Sequence, residues 1–151
     1  MEQEAEPVDR EPGGTAWRQT IYYPYYFASR FGRGTALDVK VDVAGYDTEN
    51  AKNVAYADIA GVHDEAAGTV SLFAVNRHGS EAVDLEVALD GFGNLRVIDH
   101  QVMTHADLEA TNTAKAPDTV VPKPGSGASL NGDRLTVSLP PHSYQMIRLG
   151  A

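Results

Sequence analysis

Residues 37–43 read LDVKVDV, with Leu37, Val39, Val41 and Val43 on one side of an extended chain and Asp38, Lys40 and Asp42 on the other. Successive side chains of a strand point to opposite faces, so a period of two marks a strand with one buried and one wet face. The same period returns in Val70, Leu72 and Ala74 with Phe73 and Val75 opposite, and in Val83, Leu85, Val87 and Leu89. It recurs in Leu95 and Val97, in Leu135, Val137 and Leu139, and in Tyr144 and Met146 against Ile147 and Leu149; residues 55–63 add one more run. Turn chemistry separates the runs: EAAG at 65–68, RHGS at 77–80, DGFGN at 90–94, NGD at 131–133, then Pro140 and Pro141. Short strands following one another without intervening helices predict an all-β fold, an antiparallel β-sandwich over residues 35–151; parallel pairing would need helical crossovers. Residues 104–129 interrupt the series with Pro117, Pro122, Pro124 and Gly125. They read as an extended surface loop with one short strand at 120–121.

Upstream of the alternating run the period changes. In residues 15–34, Trp17, Ile21, Tyr25 and Ala28 recur at helical spacing, and Tyr22, Tyr26 and Phe27 broaden the stripe. The spacing predicts one aromatic, amphipathic helix, kinked or split at Pro24, because proline lacks an N–H and disfavours α geometry in the residue before it. Gly32 and Gly34 supply the expected C-terminal cap. Residues 1–14 are acidic and rich in proline and glycine, a composition that buries too little apolar surface to offset the entropy of ordering, so they read as a flexible tail.

A chain of 151 residues makes one domain, too short for an enzyme barrel of about 250 residues. Twelve Lys and Arg against 21 Asp and Glu leave a net charge of −9 and no basic stripe, which argues against nucleic acid as a partner. No run approaches the roughly 18 apolar residues of a membrane span. The acidic start MEQEAEPVDR has neither the basic nor the apolar region of a secretory signal, so the expected location is cytoplasmic. With no cysteine, disulfide frameworks, thiol nucleophiles and Cys-ligated zinc are excluded.

Little in the remaining residues assembles into chemistry. His63, His78, His100, His105 and His142 show no metal-ligand spacing, and neither a nucleophile elbow nor a phosphate-cradling glycine pattern occurs. Glycoside hydrolysis needs two carboxyl groups flanking the sugar, which makes Asp64, Glu65, Glu81, Asp84, Glu86, Asp90, Asp99, Asp107 and Glu109 the candidates. Asp84 and Glu86 alternate with Val83, Leu85 and Val87 and so fall on a solvent face, while Asp64 and Glu65 belong to a turn. The expectation is no catalytic residue, no metal and no cofactor.

The stretch EPGGTAWRQTIYYP at 11–24, followed by ASRFGRG at 28–34, resembles glycoside hydrolase family 51, the intracellular-type α-L-arabinofuranosidases. LFAVNR at 72–77, DLEATNT at 107–113, VVP at 120–122 and SYQMIRL at 143–149 extend the resemblance over residues 11–149. It implies a retaining, exo-acting parent enzyme in which a (β/α)₈ barrel precedes a jelly-roll β-sandwich, with this chain holding the sandwich. The family's two catalytic glutamates lie on barrel strands upstream of the first stretch and have no counterpart here. Residues 15–34 then correspond to the last helix of the barrel, and the chain alone is expected to be inactive and structural in role.

The resemblance also implies that the helix stripe loses its packing partner. Trp17, Ile21, Tyr22, Tyr25 and Tyr26 are the expected interface residues, and a sheet edge is expected to stand open because the family's sandwich takes a strand from the enzyme's N-terminus. The expected partners are a catalytic barrel chain or a second copy of this chain, with arabinose-containing carbohydrate reached through the parent enzyme. The alternative is a free-standing carbohydrate-binding module, which would expose rings on the sandwich itself; an enzyme with displaced carboxylates is the third reading.

Overall fold

The computed structural model describes residues 14–151, so the tail expected at 1–14 lies outside the described residues apart from Gly14. The elements run α1 (Tyr22–Phe31), β1 (Thr35–Leu37), β2 (Gly45–Tyr46), β3 (Val54–Ala55), β4 (Ala57–Asp64), β5 (Thr69–Asn76), β6 (Val83–Ala88), β7 (Arg96–Met103), β8 (Lys123–Pro124), β9 (Ser129–Asn131), β10 (Arg134–Leu139) and β11 (Ser143–Gly150). Every paired ladder is antiparallel, in a six-stranded sheet ordered β1-β4-β5-β11-β7-β8, a three-stranded sheet β6-β10-β9 and a small β2-β3 ribbon.

Period-two patterning places the core between the two larger sheets. Val70, Leu72 and Ala74 of β5 and Ile147 and Leu149 of β11 face Leu85, Leu135, Val137 and Leu139 of the smaller sheet. The turns use the residues their backbone demands: Gly132 opens the β9–β10 turn at φ +63°, a conformation in which a Cβ is costly. The opposite face of the six-stranded sheet is also covered. There α1 lays Tyr23 and Phe27 on Met146, with Phe31, Phe73, Met103, Val121 and Tyr144 around them. Burial on both faces explains why β5 carries apolar residues on both sides, Val70, Leu72 and Ala74 on one and Phe73 and Val75 on the other.

Four expectations need correction. The helix occupies only Tyr22–Phe31, and Pro24 neither kinks nor splits it: Pro24 sits in the first turn, where an N–H has no intrahelical acceptor to lose. Gly32 donates its N–H to Ala28 O as a cap but does so at φ −91°, outside the left-handed region. Instead Gly34, at φ +127°, lies so close to the His63 carbonyl that a Cβ would collide with it. The short strand expected at 120–121 forms three residues later, at β8, because Val120 gives its N–H to the side chain of Asn112 rather than to a ladder.

The alternating stretch at 37–43 also departs from the expected strand. Only its first residue, Leu37, joins a ladder, at the end of β1. Residues 38–43 keep the alternation, with Val39, Val41 and Val43 half-buried and Asp38, Lys40 and Asp42 exposed, but they pair with no strand. A cavity of about 590 Å³ separates them from β6.

Candidate functional site

The carboxylates that could in principle hydrolyse a sugar are dispersed over the surface. Asp84 and Glu86 stand exposed on β6, Asp64 and Glu65 lie at the β4–β5 turn, and Asp107 and Glu109 sit in the loop after β7. Asp107 Oδ1 is occupied locally, accepting the Glu109 N–H at 2.9 Å, and Asp64 Oδ1 accepts the Ala67 N–H. The Asp47 carboxyl is held below the usual carboxylate range first by the Asn53 N–H and then by Lys52, but it is fully exposed and serves the β2–β3 loop. Among the described residues no group of three or more His, Asp or Glu side chains is placed to hold a metal ion.

Two surfaces remain unfinished. The first is the outward side of α1. Because 3.6 residues make a turn, Tyr23, Phe27 and Phe31 fall on the sheet while Ile21 and Tyr25 fall opposite, 64% and 72% exposed. Tyr22 and Tyr26 flank this ridge with their rings stacked 5.8 Å apart, and the Arg18 guanidinium lies over Tyr22 at 5.1 Å. Leu108, 66% exposed in the loop after β7, is another large apolar side chain left in water. The second surface is the groove between residues 38–43 and β6, floored by Ile59, Leu72 and Leu85. β6 pairs only with β10, so its other edge presents unpaired backbone groups.

An antiparallel sandwich preceded by an aromatic helix is the architecture that the comparisons match. The family model described as "Alpha-L-arabinofuranosidase C-terminal domain" matches residues 3–143. The chain belongs to the α-L-arabinofuranosidase C-terminal domain family. It is 44% identical over 146 residues to an intracellular exo-α-(1→5)-L-arabinofuranosidase of Streptomyces lividans, covering 94% of this chain and 21% of that protein. With the enzyme of the same name from Halalkalibacterium halodurans it shares 39% over 144 residues, covering 95% of this chain and 28% of that protein. A family 51 α-L-arabinofuranosidase of Bifidobacterium longum superposes with a TM-score of 0.83 at 33% identity, over 89% of this chain and 26% of the other. The chain thus spans between about a fifth and under a third of the length of these relatives.

Within this C-terminal domain the structure separates the five expected interface residues. Ile21 and Tyr25 form the exposed ridge, and Tyr22 and Tyr26 form its shoulder. Trp17 lies before the helix and is half-buried, its indole N–H without an acceptor among the described residues. Two polar residues that hold this part of the fold together carry no periodic signal. Asn112 is buried and bonds to both Arg18 and Val120. His100 is buried within β7 and donates through Nε2 to Gln145 Oε1 at 2.6 Å. The only trace of Asn112 in the sequence is an Asn amid small residues in a long loop, a place where side-chain amides commonly tie backbone together.

Proposed function

We propose that this domain is the non-catalytic docking module of a larger exo-acting α-L-arabinofuranosidase, holding the sugar-hydrolysing barrel through the outer face of α1. The observation that carries the reading is the split character of α1, with Tyr23 and Phe27 packed on its own sheet and Ile21 and Tyr25 left in water. A helix that is apolar all round is stable only when both sides are covered. The substrate class follows from the relatives' names and is a terminal α-(1→5)-linked L-arabinofuranoside. Their description as intracellular supports a cytoplasmic location. The groove beside β6 is the place for one further strand from the rest of such an enzyme, which would pair with residues 38–43 on one side and β6 on the other.

The binding-module alternative is less well supported, because the sandwich's own rings are engaged. Tyr46 stacks on Tyr56, Tyr144 on Phe27, and Phe92 meets His63 edge to face. Without the barrel, the helix ridge is also the surface through which two copies would associate as a two-fold dimer. Direct β6–β6 pairing is disfavoured, since it would set Asp84 opposite Glu86 of the second copy.

The reading is tested by replacing the corresponding region of the Streptomyces lividans enzyme with this chain. The graft is expected to hydrolyse an aryl α-L-arabinofuranoside, and the pair Ile21→Asp and Tyr25→Asp is expected to shorten its active half-life on heating. A graft indifferent to that pair would contradict the docking role.

A further inference from the structure

The helix ridge alone is a small surface. A helix of 10 residues is about 15 Å long, whereas a stable interface buries about 800 Å² on each partner. The loop spanning 104–122 enlarges it. Two hollows flank the start of α1, and the loop forms a wall of each. One, of about 370 Å³, lies between Arg18, Tyr22 and Tyr26 on one side and Asp118 and Pro122 on the other. The second, of about 280 Å³, lies between Thr20, Leu108 and Ala110, with exposed Leu108 at its rim. An exposed apolar ridge with hollows beside the same helix start is relief against which side-chain ridges of a facing surface can pack.

Beside the packing of Val121 on Tyr23 and Phe27, one carboxamide ties the loop to the segment that enters the helix. Asn112 is 1% exposed; its Nδ2 donates to Arg18 O and to Val120 O, each at 2.9 Å, and its Oδ1 accepts the Val120 N–H at 2.7 Å. One amide thus closes the loop on itself and ties it to the segment that enters α1. We propose that the 104–122 loop is the second half of the docking surface, taking an apolar side chain of the barrel into the hollow beside Leu108 and a polar one into the hollow between Arg18 and Asp118, and that Asn112 is the positioning residue that sets the loop and α1 in register. This rests on the docking function proposed above. The occupant is the remainder of the same enzyme, because the matched relatives extend well beyond the region this chain spans and the loop and the helix start share the walls of both hollows.

The test uses the grafted enzyme and the 151-residue chain in parallel. Asn112→Asp keeps an acceptor for the Val120 N–H and removes both donated bonds. In the chain alone it is expected to speed amide exchange in α1 about tenfold or more while leaving β5 and β11 protected, since losing buried hydrogen bonds opens the local unit they close. In the graft, Asn112→Asp and Leu108→Asp are each expected to shorten the active half-life on heating about tenfold, Leu108→Asp without altering exchange in α1. Leu108 is exposed, so its substitution leaves folding intact and keeps the proposal exposed to failure. If both variants keep the parental half-life while the Ile21→Asp and Tyr25→Asp pair shortens it, the loop's role is overturned and the helix docking stands. If that pair also has no effect, the docking function itself falls. Unchanged exchange in α1 for Asn112→Asp would overturn the positioning role.

Discussion

Tyr144 stands under α1 with its ring stacked on Phe27 at 6.4 Å, and burial pushes its phenol up to about 12 from the ordinary value of 10.0. The folded state therefore disfavours the phenolate, and the stability this group contributes is intact below pH 10 and drains away as the pH rises from 10 toward 12. Tyr144→Phe is expected to flatten the alkaline fall in thermal midpoint over that window and to leave the midpoint at pH 7 nearly unchanged; parallel curves for the two proteins would refute this. The His100 ring explains a glycine. A Cβ on Gly125 would lie 2.5 Å from His100 Nδ1, and the ring cannot retreat because Nε2 is bonded to Gln145 between two central strands. Gly125→Ala is expected to cost about 1–3 kcal/mol, read as a lowered midpoint in chemical denaturation. Leu135, fully buried in the sandwich core, should cost about 2–5 kcal/mol on truncation to Ala.

At the scale of elements, the two sides of α1 give opposite expectations. Phe27→Ala should destabilise the isolated chain by about 3–5 kcal/mol, because the ring is packed on Met146 and Tyr144. Ile21→Asp and Tyr25→Asp should change the monomer's stability by less than about 0.5 kcal/mol each, because both side chains already sit in water. By light scattering they should convert any self-associated chain to 16.2 kDa monomers. The helix was legible in its spacing, but which side faces the sheet was not, since aromatic residues occupy nearly every position and the period selects no single face. The strands of the core were legible where one face is wet, as in β6 and β10, where Leu85, Leu135 and Val137 are buried between exposed neighbours. Residues 38–43 show where alternation is insufficient: it records which side of the chain is apolar and carries nothing about whether a neighbouring strand is present to pair. Asn112 and His100 escaped because a buried polar residue is identified by its partners: Arg18 and Gln145 lie 94 and 45 residues away in sequence, and Val120, 8 residues from Asn112, carries no pattern that marks it as a partner.

Across the whole molecule, a six-stranded sheet is sealed on one face by the smaller sheet and on the other by α1, with the outer side of that helix and the groove beside β6 left unfilled. The candidate carboxylates lie on different elements, in turns, on β6, on β7 at Asp99 and in the loop after β7; Asp84 and Glu86 line the groove opposite Asp38 and Asp42, all four of them exposed. We propose that the chain contributes surface and no chemistry to the enzyme. The most direct test is hydrolysis of an aryl α-L-arabinofuranoside by the purified 151-residue chain, followed at high protein concentration over hours. The expected result is release no faster than in buffer; turnover above that background, abolished by changing Glu65, Glu86 or Glu109 to Gln, would contradict it.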